Sequence, residues 1–339
     1  MPGVSAVPVL THPQGAEPGR PAVPVALLGE ALVDQYPDGS AVAGGAPFNV
    51  ARWLAAFGVP ALLVTRTGAR DAAAGLVRSE MQRFGLSQRA VQVDTAEPTG
   101  VVQVLPDTTP GAGGHRFHIA PRSAWDFIDA DLAAPHLRAV DPGWVCFGTL
   151  ALRHATSRAS ITRLVGDSAA MRLVDLNLRP LDGLQALCEQ ALHLADWVKV
   201  NEAELHSLLQ WFVCARGDFP AFGSDAYAHA WQQLSSRFGV TRWLLTRGEH
   251  GWASADAQGR IDASGAGVPV DRVVDTVGAG DAFTATVLAG QAHGWPLARS
   301  LQSANALAAA VCGWRGALPG DEHSIAHWRQ QLGFAVPAP

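Results

Sequence analysis

The residues best suited to chemistry lie in one stretch near the C-terminal end, VVDTVGAGDAFTATVLAG, residues 273–290. A β-like run ends at Asp275-Thr276, Gly278-Ala279-Gly280 predicts a tight turn, and Asp281 opens an apolar helix. Small residues let a ligand approach the backbone, and the free N–H groups of a helix's first turn bind anions. A carboxylate would repel a phosphate held there, so Asp281 is better explained as the proton acceptor for a hydroxyl attacking that phosphate. The plain structural alternative is an N-cap aspartate after a glycine turn, which is common.

Two better-known glycine motifs do not fit this stretch. It lacks the G-x-x-x-x-G-K-[ST] pattern of a P-loop, and it is not a G-x-G-x-x-G that opens the first strand–helix unit. A dehydrogenase that binds NAD would need such a fingerprint after the apolar run at residues 25–34, where none is found. The sequence therefore favours phosphate chemistry over dinucleotide binding.

A second group of polar residues lies near the N-terminal end. The run VALLGEALVD, residues 25–34, predicts one strand that carries Glu30 and Asp34 towards a loop. Gly44-Gly45 then opens a helix that contains Asn49. Carboxylates and an amide around a glycine turn suit a ligand with vicinal hydroxyls, which are both donors and acceptors. A Gly-Gly pair before a helix is also a frequent helix start, so this signal alone is weak.

The elements that would position both groups alternate between strand and helix. Short apolar runs, each followed by a helical pattern, occur at ALLVTR (61–66), WVCFG (144–148), RLVDLN (172–177), WVKV (197–200) and RWLLT (242–246). Repeated alternation predicts an α/β fold with a mostly parallel sheet and helices on both faces. Ligands of such sheets bind at the carboxyl ends of the strands.

Two segments depart from this alternation, at about residues 35–43 and 98–120. Runs such as TGVVQVL (99–105) and HRFHIA (115–120) alternate apolar and polar residues, which is typical of half-exposed antiparallel strands. We interpret the two segments as a small β lid, and an ordinary hairpin at a sheet edge is the alternative. Arg116 and His118 would share one face of the lid, beside His115, and could reach a ligand.

Composition excludes several classes of function. The chain has 339 residues, with 25 Lys+Arg against 30 Asp+Glu, and no basic stripe of the kind that nucleic-acid binders carry. Its four cysteines are scattered, so neither a zinc site nor a disulfide framework is expected. Residues 1–22 predict a disordered leader without the features of a signal peptide, and no apolar run is long enough to span a membrane. A cytoplasmic enzyme or binding protein is the expectation.

Taken together, the two motifs resemble the two signatures of the ribokinase-like (PfkB) carbohydrate kinases. Gly44-Gly45…Asn49 and Asp275-Thr276-x-Gly278-Ala279-Gly280-Asp281 occur in the same order and at a similar separation, and the resemblance spans roughly residues 23–330. KVNEAEL (199–205) resembles the family's N-x-x-E element, and LLTRGEHG (244–251) its nucleotide-side stretch. GEALVDQYPDG (29–39) and DLNLRP (175–180) are similar to bacterial fructokinases. The resemblance implies a three-layer α/β/α kinase domain over residues 23–335, with a mostly parallel central sheet and a β lid.

Roles for residues follow from the resemblance. Asp281 would be the catalytic base, and the backbone of Gly278, Ala279 and Gly280 would form the anion hole. Asn201 and Glu204 would organise Mg²⁺ through its waters, with Asn201 also on the nucleotide side. Without the resemblance, this pair would be assigned to a capping box at a helix start.

The acceptor and nucleotide sides are assigned in the same way. Sugar hydroxyls would be held by Asp34, Gly44, Gly45 and Asn49. The nucleotide would be lined by Thr246, Gly248, Gly280 and Asn305. Arg179 would face either the phosphates or the sugar, and Asp275, with Gly316 nearby, would bind a monovalent cation such as K⁺.

The expected activity is transfer of the ATP γ-phosphoryl group to a primary hydroxyl of a small sugar, with fructose as the first choice. Ribose, 2-keto-3-deoxygluconate and a nucleoside stay open as acceptors. A sensor of sugar or nucleotide without catalysis is the alternative from another class, although a pure sensor has no need of a base. A homodimer formed through the lid is a further expectation, whereas nucleic acid and membrane partners are not expected.

Overall fold

The computed structural model describes residues 21–106, 115–214 and 219–334. The predicted leader falls almost entirely on residues 1–20, which lie outside these ranges, as do residues 107–114 of the predicted lid. The strands are β1 Val25–Leu28, β2 Leu32–Gln35, β3 Ala41–Gly44, β4 Ala61–Gly68, β5 Val91–Asp94, β6 Gly100–Pro106, β7 His115–Ile119, β8 Trp144–Gly148, β9 Met171–Asp175, β10 Trp197–Asn201, β11 Arg242–Thr246, β12 Trp252–Asp256 and β13 Ile261–Gly265.

Nine of these strands form one central sheet, in the order β13-β12-β11-β10-β9-β8-β1-β4-β5. The pairs from β11 to β5 are all parallel, and β12 and β13 add two antiparallel strands at one edge. The parallel strands are short apolar runs buried on both faces, as expected for a sheet covered by helices on each side. The prediction of a mostly parallel sheet is therefore confirmed.

Ten α-helices are described: α1 Ala46–Ala56, α2 Ala72–Arg83, α3 Ala130–Val140, α4 Ala155–Gly166, α5 Leu184–His193, α6 Glu202–Phe212, α7 Asp225–Phe238, α8 Ala279–Ala292, α9 Leu297–Val311 and α10 Glu322–Leu332. Val25 and Leu27 of β1 pack in a core with α1, α8, α9 and α10. Ala26 and Leu28 face the opposite core, formed with α3 to α7. The three-layer α/β/α arrangement follows from this alternation. Within the described ranges, none of the helices is long and apolar enough to cross a membrane.

The prediction of a single strand at residues 25–34 is wrong, because β1 ends at Leu28 and the backbone bends at Gly29. Gly29 has φ 145°, and a Cβ there would lie 2.9 Å from Pro47 Cγ and 3.0 Å from Ala151 Cβ. Before this residue, β1 runs in the central sheet between β4 and β8, whereas β2 after it joins a second sheet. Glycine is needed at the bend both for its backbone conformation and for the close approach.

The second sheet is the predicted lid, with strand order β3-β2-β6-β7. β2–β3 and β6–β7 are antiparallel, but the central pair β2–β6 is parallel, which the alternating pattern did not predict. Val102 and Val104 are buried, so β6 is half-exposed as expected. In β7, Arg116 and His118 share the exposed face, while Phe117 and Ile119 line the cavity described below. The expectation that Arg116 and His118 reach a ligand is therefore not supported.

Candidate active site

A cavity of about 390 Å³ lies between the lid and the carboxyl ends of the parallel strands. Leu32 and Val102 of the lid line one side. Asn201 and Thr246, the last residues of the neighbouring strands β10 and β11, line the other. The cavity is thus at the strand ends where the sheet topology predicts a ligand.

The turn that opens α8 forms part of the cavity wall. Gly278 is the N-cap residue of the helix with φ 84°, and a Cβ there would overlap Ala317. Gly278 and Gly280 both line the cavity. The first turn of a helix has N–H groups without partners in the helix and carries its positive dipole end, so an anion is favoured there. No strand is found at 273–276, where a β-like run was predicted; the segment is an irregular loop.

Asp281 is the third residue of α8 and lies in the same cavity, 8% exposed. Asn49 Nδ2 donates to Asp281 Oδ2 at 2.6 Å. Burial raises the pKa of Asp281 above its ordinary value, and the Asn49 hydrogen bond opposes that shift. A carboxylate that is buried, fixed in direction and of raised basicity can accept a proton from a hydroxyl in the cavity.

Asn49 lies in the first turns of α1, on the helix that follows the Gly44-Gly45 turn. Its amide donates to Asp281, and its Oδ1 accepts from Arg52 Nη2 at 2.5 Å. The sequence motifs therefore bring Asn49 and Asp281 into direct contact across 232 residues of chain. The contact of Asn49 with a sugar stays a prediction.

Asp34, at the lid side of the cavity, is positioned against the same glycine turn. A Cβ on Gly44 would overlap Asp34 Oδ2, so a side chain at residue 44 would displace the carboxylate. Gly45 and Asp34 both line the cavity. Burial, followed by repulsion from Asp281, raises the pKa of Asp34 to about 7. The geometry suits an acceptor of hydroxyl hydrogen bonds, and that role stays a prediction.

Glu30 is a third carboxyl of this wall, and the sequence reasoning placed it here without a role in the reaction. It is 3% exposed, and its Oε1 accepts from Ala46 N, at the start of α1, at 3.3 Å. Glu30 Oε2 has no hydrogen-bond partner among the described residues. Burial raises the pKa of Glu30 to about 7. Three carboxyl groups thus share one small cavity, which favours their protonated forms.

Sequence reasoning missed the buried ion pair of Lys199 and Asp175. Lys199 Nζ lies 3.0 and 3.2 Å from the two oxygens of Asp175, to which Thr284 also donates at 2.7 Å. Lys199 lines the cavity, and a Cβ on Gly280 would lie 2.9 Å from Lys199 Nζ. A lysine inside the apolar run WVKV was the available signal, because buried charges are rare unless paired.

Asn201 and Glu204 form the capping box of α6. Asn201 Oδ1 accepts from Glu204 N at 2.9 Å, and Glu204 Oε2 accepts from Asn201 N at 2.9 Å. Glu204 Oε1 also accepts from Leu178 N at 2.9 Å. Both side chains line the cavity, and each carboxylate oxygen keeps a further lone pair. The structural alternative is therefore present in the molecule, and the metal role stays a prediction.

The remaining predicted residues divide between the cavity and its surroundings. Thr246 and Arg179 line it, and the Arg179 guanidinium lies 4.9 Å from the centre of the Phe117 ring in the lid. Gly248 begins a short 3₁₀ turn, and Asn305 Nδ2 donates to Ala266 O at 2.9 Å. Among the described residues, the cavity lining includes neither Gly248 nor Asn305.

Asp275 is buried and joins the lid to the loop after α9. Its carboxylate accepts from Tyr36 Oη at 3.3 Å, Gly316 N at 3.1 Å and Val277 N at 2.9 Å. The expected proximity of Asp275 and Gly316 is confirmed, and cation binding stays a prediction. The described ranges contain no group of three or more His, Cys, Asp or Glu side chains that could hold a metal ion.

Comparison with known proteins gives a consistent result. The family model described as pfkB family carbohydrate kinase matches residues 25–323. A fructokinase of Klebsiella pneumoniae is 31% identical over 315 residues, which cover 86% of this chain and 95% of that protein. The fold is shared with a fructokinase from Xylella fastidiosa, solved with bound ATP (TM-score 0.73, 20% identity, 91% of this chain and 97% of that one). It is also shared with a fructokinase from Vibrio cholerae, solved with fructose, ADP and calcium ion (TM-score 0.71, 23% identity, 91% and 99%).

Proposed function

Because this chain belongs to the pfkB family of carbohydrate kinases, it is a sugar kinase, and we propose that it transfers the γ-phosphoryl group of ATP to a primary hydroxyl of fructose. The observation that carries the proposal is the position of Asp281, buried in the first turn of α8 beside Gly278 and Gly280 in one cavity. A base and an anion site are two of the groups that phosphoryl transfer to a hydroxyl uses.

The reaction proceeds by in-line displacement. The hydroxyl oxygen of the sugar forms a bond to the γ-phosphorus, the bond from that phosphorus to the β–γ bridging oxygen breaks, and ADP leaves. Asp281 takes the hydroxyl proton. The N–H groups at the start of α8 donate to the equatorial oxygens of the phosphoryl group, where charge is concentrated in the transition state. Lys199 lies beside Gly280, where its ammonium group, paired with Asp175, is a further donor on this side of the cavity.

The donor set at the other end of the cavity fits a magnesium ion held through water. The side chains of Asn201 and Glu204 provide oxygen atoms, which Mg²⁺ prefers as ligands. Because both side chains are engaged in a capping box, they would bind the waters of the ion and not the ion itself. When bound, Mg²⁺ neutralises charge on the nucleotide phosphates. Thr246, beside Asn201 on the next strand, would lie along the nucleotide. We keep Gly248 and Asn305 as proposed nucleotide residues outside the cavity, and Asp275 as the proposed K⁺ ligand.

One similarity and one feature of the cavity support fructose as the proposed acceptor. The Klebsiella pneumoniae relative, 31% identical over most of the chain, is a fructokinase. The acceptor wall also presents carboxyl groups of Asp34 and Glu30 close to Asp281, which suits a ligand with several neighbouring hydroxyls. Arg179, stacked on Phe117 of the lid, is proposed to face the sugar.

The test is a measurement of ADP release with ATP and a panel of acceptors: fructose, ribose, 2-keto-3-deoxygluconate, glucose and adenosine. We expect kcat/KM for fructose to exceed that for each other acceptor by at least about tenfold. This ratio corresponds to the free energy of one well-placed hydrogen bond. A higher value for another sugar would replace fructose and leave the kinase assignment intact. Absence of ADP release with every acceptor, in protein shown to be folded, would instead favour the sensor.

Asp34→Ala, tested on the same panel, shows whether the acceptor end is assigned correctly. Removing a carboxylate that accepts from sugar hydroxyls should raise the sugar KM at least about tenfold and leave the ATP KM nearly unchanged. The melting temperature of the variant is the control for folding. If the ATP KM changes most, the two ends of the cavity have been exchanged.

A further inference from the structure

A continuous chain of hydrogen bonds runs from the surface of α2 to Asp281. Glu80 Oε2 accepts from Arg52 Nη1 at 3.1 Å, and Arg52 Nη2 donates to Asn49 Oδ1 at 2.5 Å. Asn49 Nδ2 then donates to Asp281 Oδ2 at 2.6 Å. The Glu80 side chain is 21% exposed, whereas Arg52 is buried. These hydrogen bonds therefore hold the positive charge of Arg52 in the interior, beside the site.

The direction of the Asn49 amide follows from chemistry. A guanidinium has only donors, so the amide atom that faces Arg52 must be the oxygen. The other amide atom, which faces Asp281, is then the nitrogen, and an ionised carboxylate can only accept. Reversing the amide would oppose two donors at one end and two acceptors at the other. Arg52 therefore decides which end of Asn49 meets Asp281.

Arg52 is held rigidly enough to impose that direction. Its Nη2 also donates to Ala43 O at 2.7 Å, at the end of the lid strand β3. Its guanidinium carbon lies 4.7 Å from the centre of the Phe48 ring. With contacts to the lid, to α1 and to α2, the guanidinium cannot rotate without breaking several buried interactions.

We propose that Arg52 is a positioning residue that fixes the Asn49 amide with its N–H towards Asp281. The inference rests on the proposed role of Asp281 as the base. Without Arg52, the amide can turn, and its oxygen would then face the carboxylate and repel its ionised form. The base would be ionised in a smaller fraction of molecules at a given pH, and its direction towards the acceptor hydroxyl would be less defined.

The expected pH effect has a definite sign. A hydrogen bond donated to a carboxylate lowers its pKa, so losing it raises the pKa of Asp281 and moves the acid limb of kcat to higher pH. The other ionisable groups that face Asp281 are present in the wild type and in the variant alike: Glu30, Asp34, Cys146, Asp175, Arg179 and Lys199. Arg52 also lowers the pKa of Asp34, so kcat is measured at saturating sugar to separate the two effects.

The first experiment measures kcat against pH for Arg52→Met and Arg52→Lys. For Arg52→Met we expect kcat to fall about tenfold and the acid midpoint to rise by about one pH unit, because a hydrogen bond to a charged acceptor has this strength, while the ATP KM changes little. Arg52→Lys keeps a charged donor group but loses the planar guanidinium with its two Nη atoms, and it should change both values in the same direction but less. If Arg52→Met does not fold, Arg52→Lys decides the question. A folded variant with wild-type kcat and midpoint overturns the proposal.

Two controls distinguish positioning from a general effect on the structure. Glu80→Gln leaves the Arg52–Asn49 contact in place, so kcat should stay within about twofold with no shift of the midpoint. In an Asn49→Ala background, Arg52→Met should have less than about a twofold further effect, because coupled residues are not additive. A full tenfold loss of kcat from Arg52→Met in the Asn49→Ala background contradicts the proposal. A shift of the acid midpoint in Glu80→Gln contradicts it as well. If Asp281→Asn proves active, the proposed function fails, whatever Arg52 does.

Discussion

The two ends of the cavity differ in how their polar side chains are satisfied. At the acceptor end, Glu30, Asp34 and Asp281 are crowded carboxyls with raised pKa values, and Glu30 Oε2 has no partner among the described residues. At the end proposed to hold Mg²⁺, here called the metal end, Asn201 and Glu204 each accept a hydrogen bond from the other's backbone N–H without a ligand. Side chains at the first end are costly to the fold, and the proposed sugar would account for them. Those at the second end contribute to folding as well as to the proposed chemistry.

The largest expected effect is that of Asp281→Asn, which tests whether the acceptor end contains the base. Replacing the carboxylate by an amide should lower kcat roughly 100- to 10,000-fold, the range for loss of a positioned general base. ATP binding should survive, since its phosphate site is proposed to be formed largely by the backbone of the α8 turn. Steady-state kinetics and ATP titration measure both quantities. A variant with more than about half of the wild-type turnover would end this assignment.

Glu30→Gln tests the cost of the acceptor end to the fold. The folded-state pKa of Glu30, about 7, is above its ordinary value of 4.5, so between those pH values the folded protein binds a proton that the unfolded chain has released. The free energy of unfolding therefore falls as pH rises through this window, by up to roughly 3 kcal/mol above pH 7. Glutamine removes the penalty and should stabilise the protein by about 1–3 kcal/mol at pH 8.

Urea denaturation of the wild type and of Glu30→Gln at pH 4.5 and pH 8 measures this difference. At pH 4.5 the two proteins should have nearly the same stability, because the wild-type carboxyl is then largely protonated in the folded state. A gain of equal size at both pH values would show that the effect is not one of ionisation.

The smallest effect is expected at the metal end, from Asn201→Ala and Glu204→Ala. Each should lose about 1 kcal/mol of stability, the usual value of a helix cap, and raise the Mg²⁺ concentration needed for half-maximal rate by a few-fold. Ser224→Ala is the matched control, because Ser224 caps α7 by accepting from Tyr227 N and does not line the cavity. If the Mg²⁺ dependence of all three variants equals that of the wild type, the pair acts only as a cap.

Much of the central sheet could be predicted from the sequence because its strands are short apolar runs between helical patterns. The runs at 144–148 and 242–246 coincide with β8 and β11. The break at Gly29 could not be predicted, since Leu32 and Val33 are as apolar and buried as the residues of β1. Periodicity reports burial and not which sheet a strand joins, and a single glycine does not reveal its φ angle.

The site was predictable where chemistry depends on local spacing. The position of Asp281 just after its glycine turn, at the start of α8, could be predicted because a turn and a helix start are formed by consecutive residues. The pair Lys199–Asp175 depends instead on parallel pairing of β9 and β10, which places residues 24 apart side by side. The link from Arg52 through Asn49 depends on a rotamer and an amide direction, neither of which sequence contains.

The lid is made of two separate stretches of chain, β2–β3 and β6–β7, and in the described ranges it shares no strand pairing with the central sheet. The lid residues that line the cavity, among them Asp34 and Phe117, therefore lie on a sheet separate from the central one, while Val33 and Ala43 of the lid pack in the same core as α1 and α8. For protein engineering, the two stretches of the lid can be replaced together. Exchanging both stretches with those of a relative would alter the proposed acceptor wall while leaving the sequence of α8, its glycine turn and the Asn201–Glu204 cap unchanged. New acceptor preferences could arise in the same way during divergence of the family.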